Sequence, residues 1–297
     1  MPSWEMTMSR EEIQALLQLL DDPNNEVNRT VTSRLLEQGP TILPDLEAAW
    51  EGSMDPTHQE KIINLIQEIQ TQYNNDQLQN WVLIQQHDLL RGVFLIARYQ
   101  YPELEMKELE ISLDRIIKDV WLELNNNLTA LEKVRILNHI IYDVHGFTRN
   151  TKNFYSPQNS FINQVLETGK GNPISLAVVY SIIAQRLNLP IFGVNLPKNF
   201  ILAYKDELIT GNSIAEVSDD VLFYINPYNR GAVLGRREIE YFLKQQNIKP
   251  NASHFRPCSN LEIIIRILHN LINAYHKSGY REKAELFEGV LNLVSIP

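Results

Sequence analysis

The chain reads as mainly α with a small antiparallel sheet, an α+β fold, and three observations predict it. Helix-period apolar stripes recur from residue 9 to residue 145 and again from residue 259 onward. Short runs of β-forming residues, Ile191 to Asn195, Phe200 to Tyr204 and Val221 to Ile225, fall between those regions and are separated by turn residues. Just ahead of them lies Pro173 to Leu187, whose apolar residues surround the helix instead of striping one side, the pattern of an element buried all round.

A chain of 297 residues is long for a single core, so two or three units are expected. The sequence divides into a helical region at 1–75, a core domain at 76–250 and a helical hairpin at 251–297 that packs on the core. With 27 Lys and Arg against 36 Asp and Glu, the formal net charge is -9. A nucleic-acid partner is therefore not expected, because phosphate binding needs clustered cations. The pair Arg236-Arg237 reads as a solvated helix start. Cys258 is the single cysteine, which excludes an intrachain disulfide and a multi-cysteine metal site. The histidines are scattered without ligand spacing, so neither a metal nor a cofactor is expected. The longest apolar run, near Ile174 to Ala184, is short of the roughly 20 residues that cross a bilayer, and the N-terminal residues lack the pattern of a signal peptide. These features predict no membrane partner and a reducing, cytoplasmic setting.

Taken in order, the first helix starts at the capping box formed by Ser9 and Glu12 and ends at Asp21-Asp22-Pro23. A second runs to Gly39-Pro40, a third from about Thr41 to Trp50, and a fourth opens at Asp55-Pro56. Further helices are predicted at about Asp76 to Ile84, Asp88 to Gln100, Met106 to Leu124 and Thr129 to His145. Their aromatic residues Trp81, Phe94, Tyr99 and Trp121 occur among aliphatics at helical intervals, which predicts core packing. A loop at Phe147 to Gln158 leads to the central helix. There Asn172 is placed to cap the helix, Pro173 to occupy its first turn, and Ser175 to sit at its positive end. A turn-rich connection through Gly211-Asn212-Ser213 joins the second and third strands. A helix follows from about Arg236 to Gln246, and the chain closes with a helical hairpin whose first helix is capped by Ser259 and Glu262.

The stretch YSPQNSFINQVLETGKGNPISLAVVYSIIAQRLNLPIFGVNLPKNFIL resembles the SirB family of transglutaminase-like proteins, through the pattern NSF, VL, PISL, RL, LP, GV and P..F. The resemblance extends from about Leu89 to Leu243, and the terminal helix shares it. It implies a papain/transglutaminase-like core, a helix whose first turn carries the nucleophile, packed on an antiparallel sheet that carries the other two catalytic positions. LLQLLDDPNNEVNRTVTSRLLEQGP resembles a HEAT-type helix pair, and AYHKSGYREKAELFEGVLNL resembles one tetratricopeptide-type unit, so the core is flanked by repeat-like helices.

Active members of the wider superfamily use Cys, His and Asp. Carried over by motif, those positions fall on Ser175 of PISL, Asn199 of PKNF and Asn226 of INP. Related SirB-type proteins also carry Ser at the first position and tend to keep His and Asp at the others. An asparagine amide cannot take up and return a proton near neutral pH, so the set lacks a general base. The expected function is a non-catalytic interaction or scaffold protein with another protein as partner. One alternative is a hydrolase or acyltransferase that uses Ser175 with a displaced base, such as His145 or His254. Another is a small polar ligand or a peptide bound at a pocket lined by Asn172, Asn159 and the degenerate positions. A displaced Cys258 nucleophile would need a lowered pKa near its helix start.

Overall fold

The computed structural model describes residues 8–206 and 220–295. The predicted connection through Gly211-Asn212-Ser213 lies outside the described residues. Two compact units divide between Leu78 and Gln79.

The first unit is helical. Helix α1 (Arg10–Gln18) begins at the Ser9/Glu12 capping box, and α2 (Asn25–Glu37) is capped by the Asn24 side chain. A 3-10 turn at Gly39–Ile42 leads into α3 (Leu43–Gly52). Helix α4 runs unbroken over Pro56–Asn80, so the break expected ahead of Asp76 does not occur. No Gly or Pro interrupts residues 57–80, and polar residues such as Asn74 and Gln77 sustain a helix without supplying a clear apolar stripe. Ile13, Leu17, Val31, Leu35, Leu46 and Ile62 meet in one core. Lys61 Nζ donates to Asp21 Oδ1 at 2.8 Å, and His58 sits against the same carboxylate. The Lys61 hydrogen bond, with the nearby positive charge, holds Asp21 below the usual carboxylate range.

The second unit carries the sheet. A π-helical turn at Trp81–Gln85 precedes α5 (Leu89–Arg98), and the Trp81 indole lies where a side chain on Gly92 would have to go. Helix α6 (Met106–Glu123) buries Leu109, Leu113, Ile116 and Val120, whereas Trp121 is 65% exposed. Trp121 follows a buried Val120 by one residue, which turns it about 100° off the apolar stripe, so its expected core role is not met. Helix α7 (Ala130–Asn138) continues as π-helix over His139–Val144.

A two-residue parallel pair, β1 (Thr148–Arg149) with β2 (Lys170–Gly171), brackets the 3-10 turn Pro157–Ser160 and α8 (Ile162–Thr168). Helix α9 (Pro173–Arg186) follows, with every residue from Ile174 to Ala184 buried. It packs on β3 (Ile191–Val194) and β4 (Ile201–Lys205) of a four-stranded antiparallel sheet completed by β5 (Val221–Asn226) and β6 (Ala232–Leu234), in the order β3-β4-β5-β6. Alternation along β4 explains the layering. Ile201 and Ala203 join Ile239 and Leu243 of α10 (Arg236–Gln245) in one core, which leaves Leu202 and Tyr204 for the opposite face.

The chain ends in α11 (Asn260–Lys277) and α12 (Arg281–Ser295), antiparallel across a turn at Gly279. Tyr275 stacks on Phe287, and Phe287 touches Phe161, so an aromatic chain joins the hairpin to α8. Asn260 Nδ2 donates to the carbonyls of Gln86 and His87.

Two predictions follow from these contacts. Asp21 has a depressed pKa in the folded chain, so its contribution is present above the ordinary carboxylate pKa of about 3.9 and is lost as pH falls through the folded value. Hydrogen-exchange protection of α1 to α4 should therefore weaken in that acid range, and Lys61→Met should flatten the dependence. Gly231 has φ of +70° and its missing Cβ faces the Asn138 side chain. Gly231→Ala should cost roughly 2–4 kcal/mol in urea denaturation, from left-handed strain together with displacement of a bonded amide.

Candidate functional site

The site is organised by the start of α9. Asn172, extended at ψ 177°, turns its Oδ1 to accept from the Ser175 backbone N–H at 3.0 Å. Ser175 Oγ accepts from the Asn172 N–H at 3.0 Å and lies 3.3 Å from the Asn172 carbonyl, to which it can donate. Asn172 Nδ2 then donates to Ser160 Oγ at 2.9 Å. Ser175 is 3% exposed and Asn172 7%. This reciprocal cap satisfies helix-start donors that burial would otherwise leave unpaired. It also engages the hydroxyl both as acceptor and as donor. Gly171 completes the enclosure, because a Cβ there would collide with Ser175 Oγ and press on Leu176.

The other two expected positions are held separately. Asn199 lies in the β3–β4 turn, half-buried, with its Oδ1 accepting from the Phe200 N–H at 2.8 Å. Asn226 ends β5, and its buried Oδ1 has no hydrogen-bond partner. The turn after Asn226 is clamped by neighbours: Tyr142 donates to the Pro227 carbonyl, and Asn138 Nδ2 donates to the Gly231 carbonyl while its Oδ1 accepts from Tyr180. Among the described residues, no hydrogen bond joins any two of Ser175, Asn199 and Asn226.

A cavity of about 610 Å³ opens at this helix start. Asn172 and Asn199 line it, with Pro173, Arg266 and Lys277, whereas Ser175, Asn226 and Asn159 are not among its lining. Asn159 is occupied elsewhere: its Oδ1 accepts from Asn150 and its Nδ2 donates to the carbonyls of Asn153 and Phe154, which ties down the loop above the cavity. Among the described residues, no His, Cys, Asp or Glu lines the cavity.

The displaced groups considered from sequence are engaged away from Ser175. His145 Nε2 pairs with Asp119 Oδ2 at 2.8 Å, and His254 Nδ1 accepts from the Asn251 N–H at 3.3 Å. Cys258 is half-buried against Gly193, and burial pushes its thiol up to about 12, the reverse of the lowered value that a nucleophile there requires. The nearby Glu262 charge acts in the same direction as burial. Among the described residues, no cluster of three His, Cys, Asp or Glu side chains is arranged to hold a metal ion.

Arg266, which the sequence pattern did not single out, lines the cavity. Its Nη1 donates to Asn195 Oδ1 at 2.7 Å and its Nη2 to the Asn199 carbonyl at 3.5 Å, so one guanidinium spans the turn that carries Asn199. Burial holds its pKa below the ordinary arginine value. The only advance signal was its position on the solvent side of an amphipathic helix that must pack on the core.

The profile of the transglutaminase-like superfamily matches residues 107–269, more than half of the chain. This chain belongs to that superfamily. A UPF0162 protein of Xylella fastidiosa is 27% identical over 207 residues, which are 66% of this chain and 68% of that protein. The UPF0162 protein YchA of Escherichia coli is 26% identical over 187 residues, 62% of this chain and 65% of its own. Human F-box only protein 21 is 24% identical over 226 residues, 69% of this chain but 35% of its own length. No solved structure matches the chain.

Ser175→Ala should cost about 1–2 kcal/mol, since it leaves the buried Asn172 N–H without its acceptor. Gly171→Ala should cost more, because it displaces both the hydroxyl and Leu176. Urea midpoints of the two variants, compared at equal m-value, give the order.

Proposed function

We propose that this superfamily member is a non-catalytic interaction module, a pseudoenzyme of the SirB type. The observation that carries the reading is the Ser175 hydroxyl. It is buried and committed to its own helix cap, and the adjoining cavity lacks imidazole and carboxylate altogether. General acid–base transfer is worth about 10²–10⁴-fold, and no lining group supplies it at neutral pH. Acyl transfer through Ser175 would require the hydroxyl to leave its cap, shed its proton to a group that is absent, and reach substrate past Asn172.

The helical flanks support a role in binding. We read α1 to α4 as HEAT-like and the α11–α12 hairpin as tetratricopeptide-like, both of which present stacked helices as surfaces for other proteins. The human relative carries the similar region within a much longer chain, as an adaptor module would. A cytoplasmic setting and a protein partner belong to this reading.

The test is direct. Purified protein offered thioester, ester and amide substrates should show no turnover above that of Ser175→Ala. Ser175→Cys should remain unalkylated by iodoacetamide at neutral pH in the folded state, because the side chain is sealed and no base ionises it. Turnover that disappears in Ser175→Ala would overturn the proposal.

A further inference from the structure

We propose that the cavity at the α9 start and a second cavity beside it form a receptor for an acidic peptide segment. The second cavity is about 590 Å³ and shares Phe154, Tyr155 and Ser156 with the first, so the two lie on either side of one short stretch of loop. The inference deepens the interaction reading above by naming what the degenerate site holds.

Charge is the first argument. Lys198, Arg266 and Lys277 line one cavity and Lys152 and Lys283 the other, while neither has an Asp or Glu in its lining. In a chain with nine more acidic than basic residues, five cations around adjoining hollows without a single carboxylate is a local inversion of sign. Among the described residues, none of the five forms an ion pair. Lys198 donates to the Gln246 amide, Lys277 lies 3.7 Å from the centre of the Tyr155 ring, and Arg266 bonds only amide oxygens. Concave surfaces lined with one sign of charge concentrate the opposite sign from solution. Arg266 strengthens the case, since a partly desolvated guanidinium that faces only neutral acceptors gains most from a carboxylate.

Peptide chemistry is the second argument. Asn270 and Asn273 line one cavity with paired amide donors and acceptors, and the Asn199 Nδ2 adds a donor, which suits the alternating N–H and C=O of an extended backbone. Phe154, Tyr155 and Tyr280 are 43%, 58% and 63% exposed, and provide flat apolar faces for side chains between acidic residues. Two such hollows exceed what one small inorganic anion would fill.

Fluorescence anisotropy of the full chain tests the proposal with a labelled Glu-Glu-Phe-Glu-Glu peptide, alongside peptides in which Gln or Lys replaces each Glu. The glutamate peptide should bind saturably, at least about tenfold more tightly than the glutamine peptide, and the lysine peptide should not bind. Raising ionic strength from about 0.05 M to about 0.3 M should weaken binding severalfold. Arg266→Gln should reduce affinity by about tenfold or more. Because Arg266 also braces the Asn199 turn, the exposed Lys277→Gln is the second variant, with an expected loss of severalfold and an unchanged urea midpoint. Equal binding of the glutamine peptide, indifference to both variants, or complete displacement by a few millimolar inorganic phosphate would each overturn the proposal, the last by showing a simple anion site. Acyl turnover would overturn the non-catalytic reading without altering the anisotropy result, so the two failures are distinguishable.

Discussion

The reciprocal cap between Asn172 and Ser175 is the constraint on which the rest of the core depends. A helix buried on all sides must satisfy its first N–H groups without water, and α9 does so with two side chains that bond each other's backbone. Ser160 Oγ accepts from the Asn172 Nδ2, so the same cap fixes the preceding 3-10 turn. Gly171 is needed so that the chain can pass close enough to enclose the hydroxyl. Ser175, at the first turn of the buried helix, is thus a fastening.

From that fastening the surroundings acquire their arrangement. The sheet lies on α9 through β3 and β4, and the turn between those strands is braced by Arg266 from α11. On the far side, Tyr180 of α9 reaches Asn138, which in turn holds the turn after Asn226. The helix therefore positions both asparagine-bearing turns while bonding to neither asparagine. What remains open at its start is a hollow lined with amides and cations.

Much of this was legible in the residues. The capping pattern of Asn172, Pro173 and Ser175, the all-round burial of α9 and the positions of β3, β4 and β5 are local signals, set by neighbours a few residues apart. The continuity of α4 and the exposure of Trp121 were not legible, because polar stretches sustain helix as well as they end it and a large aromatic looks like core until its angle is known. The π-helical turns at Trp81 and His139 shift the register in ways that a regular period does not describe. Least visible was the cationic lining. Its members lie between residues 152 and 283, and the overall negative charge pointed the other way.

Cys258 carries a practical consequence. It is the chain's one cysteine, and burial, with the nearby Glu262 charge, pushes its thiol up to about 12. A thiol raised so far is a slow nucleophile toward maleimide tags at neutral pH. Reporter pairs introduced one to each compact unit would thus attach where they are placed, and the separation of the two units in solution becomes a quantity that spin or dye rulers can read from an otherwise unaltered chain.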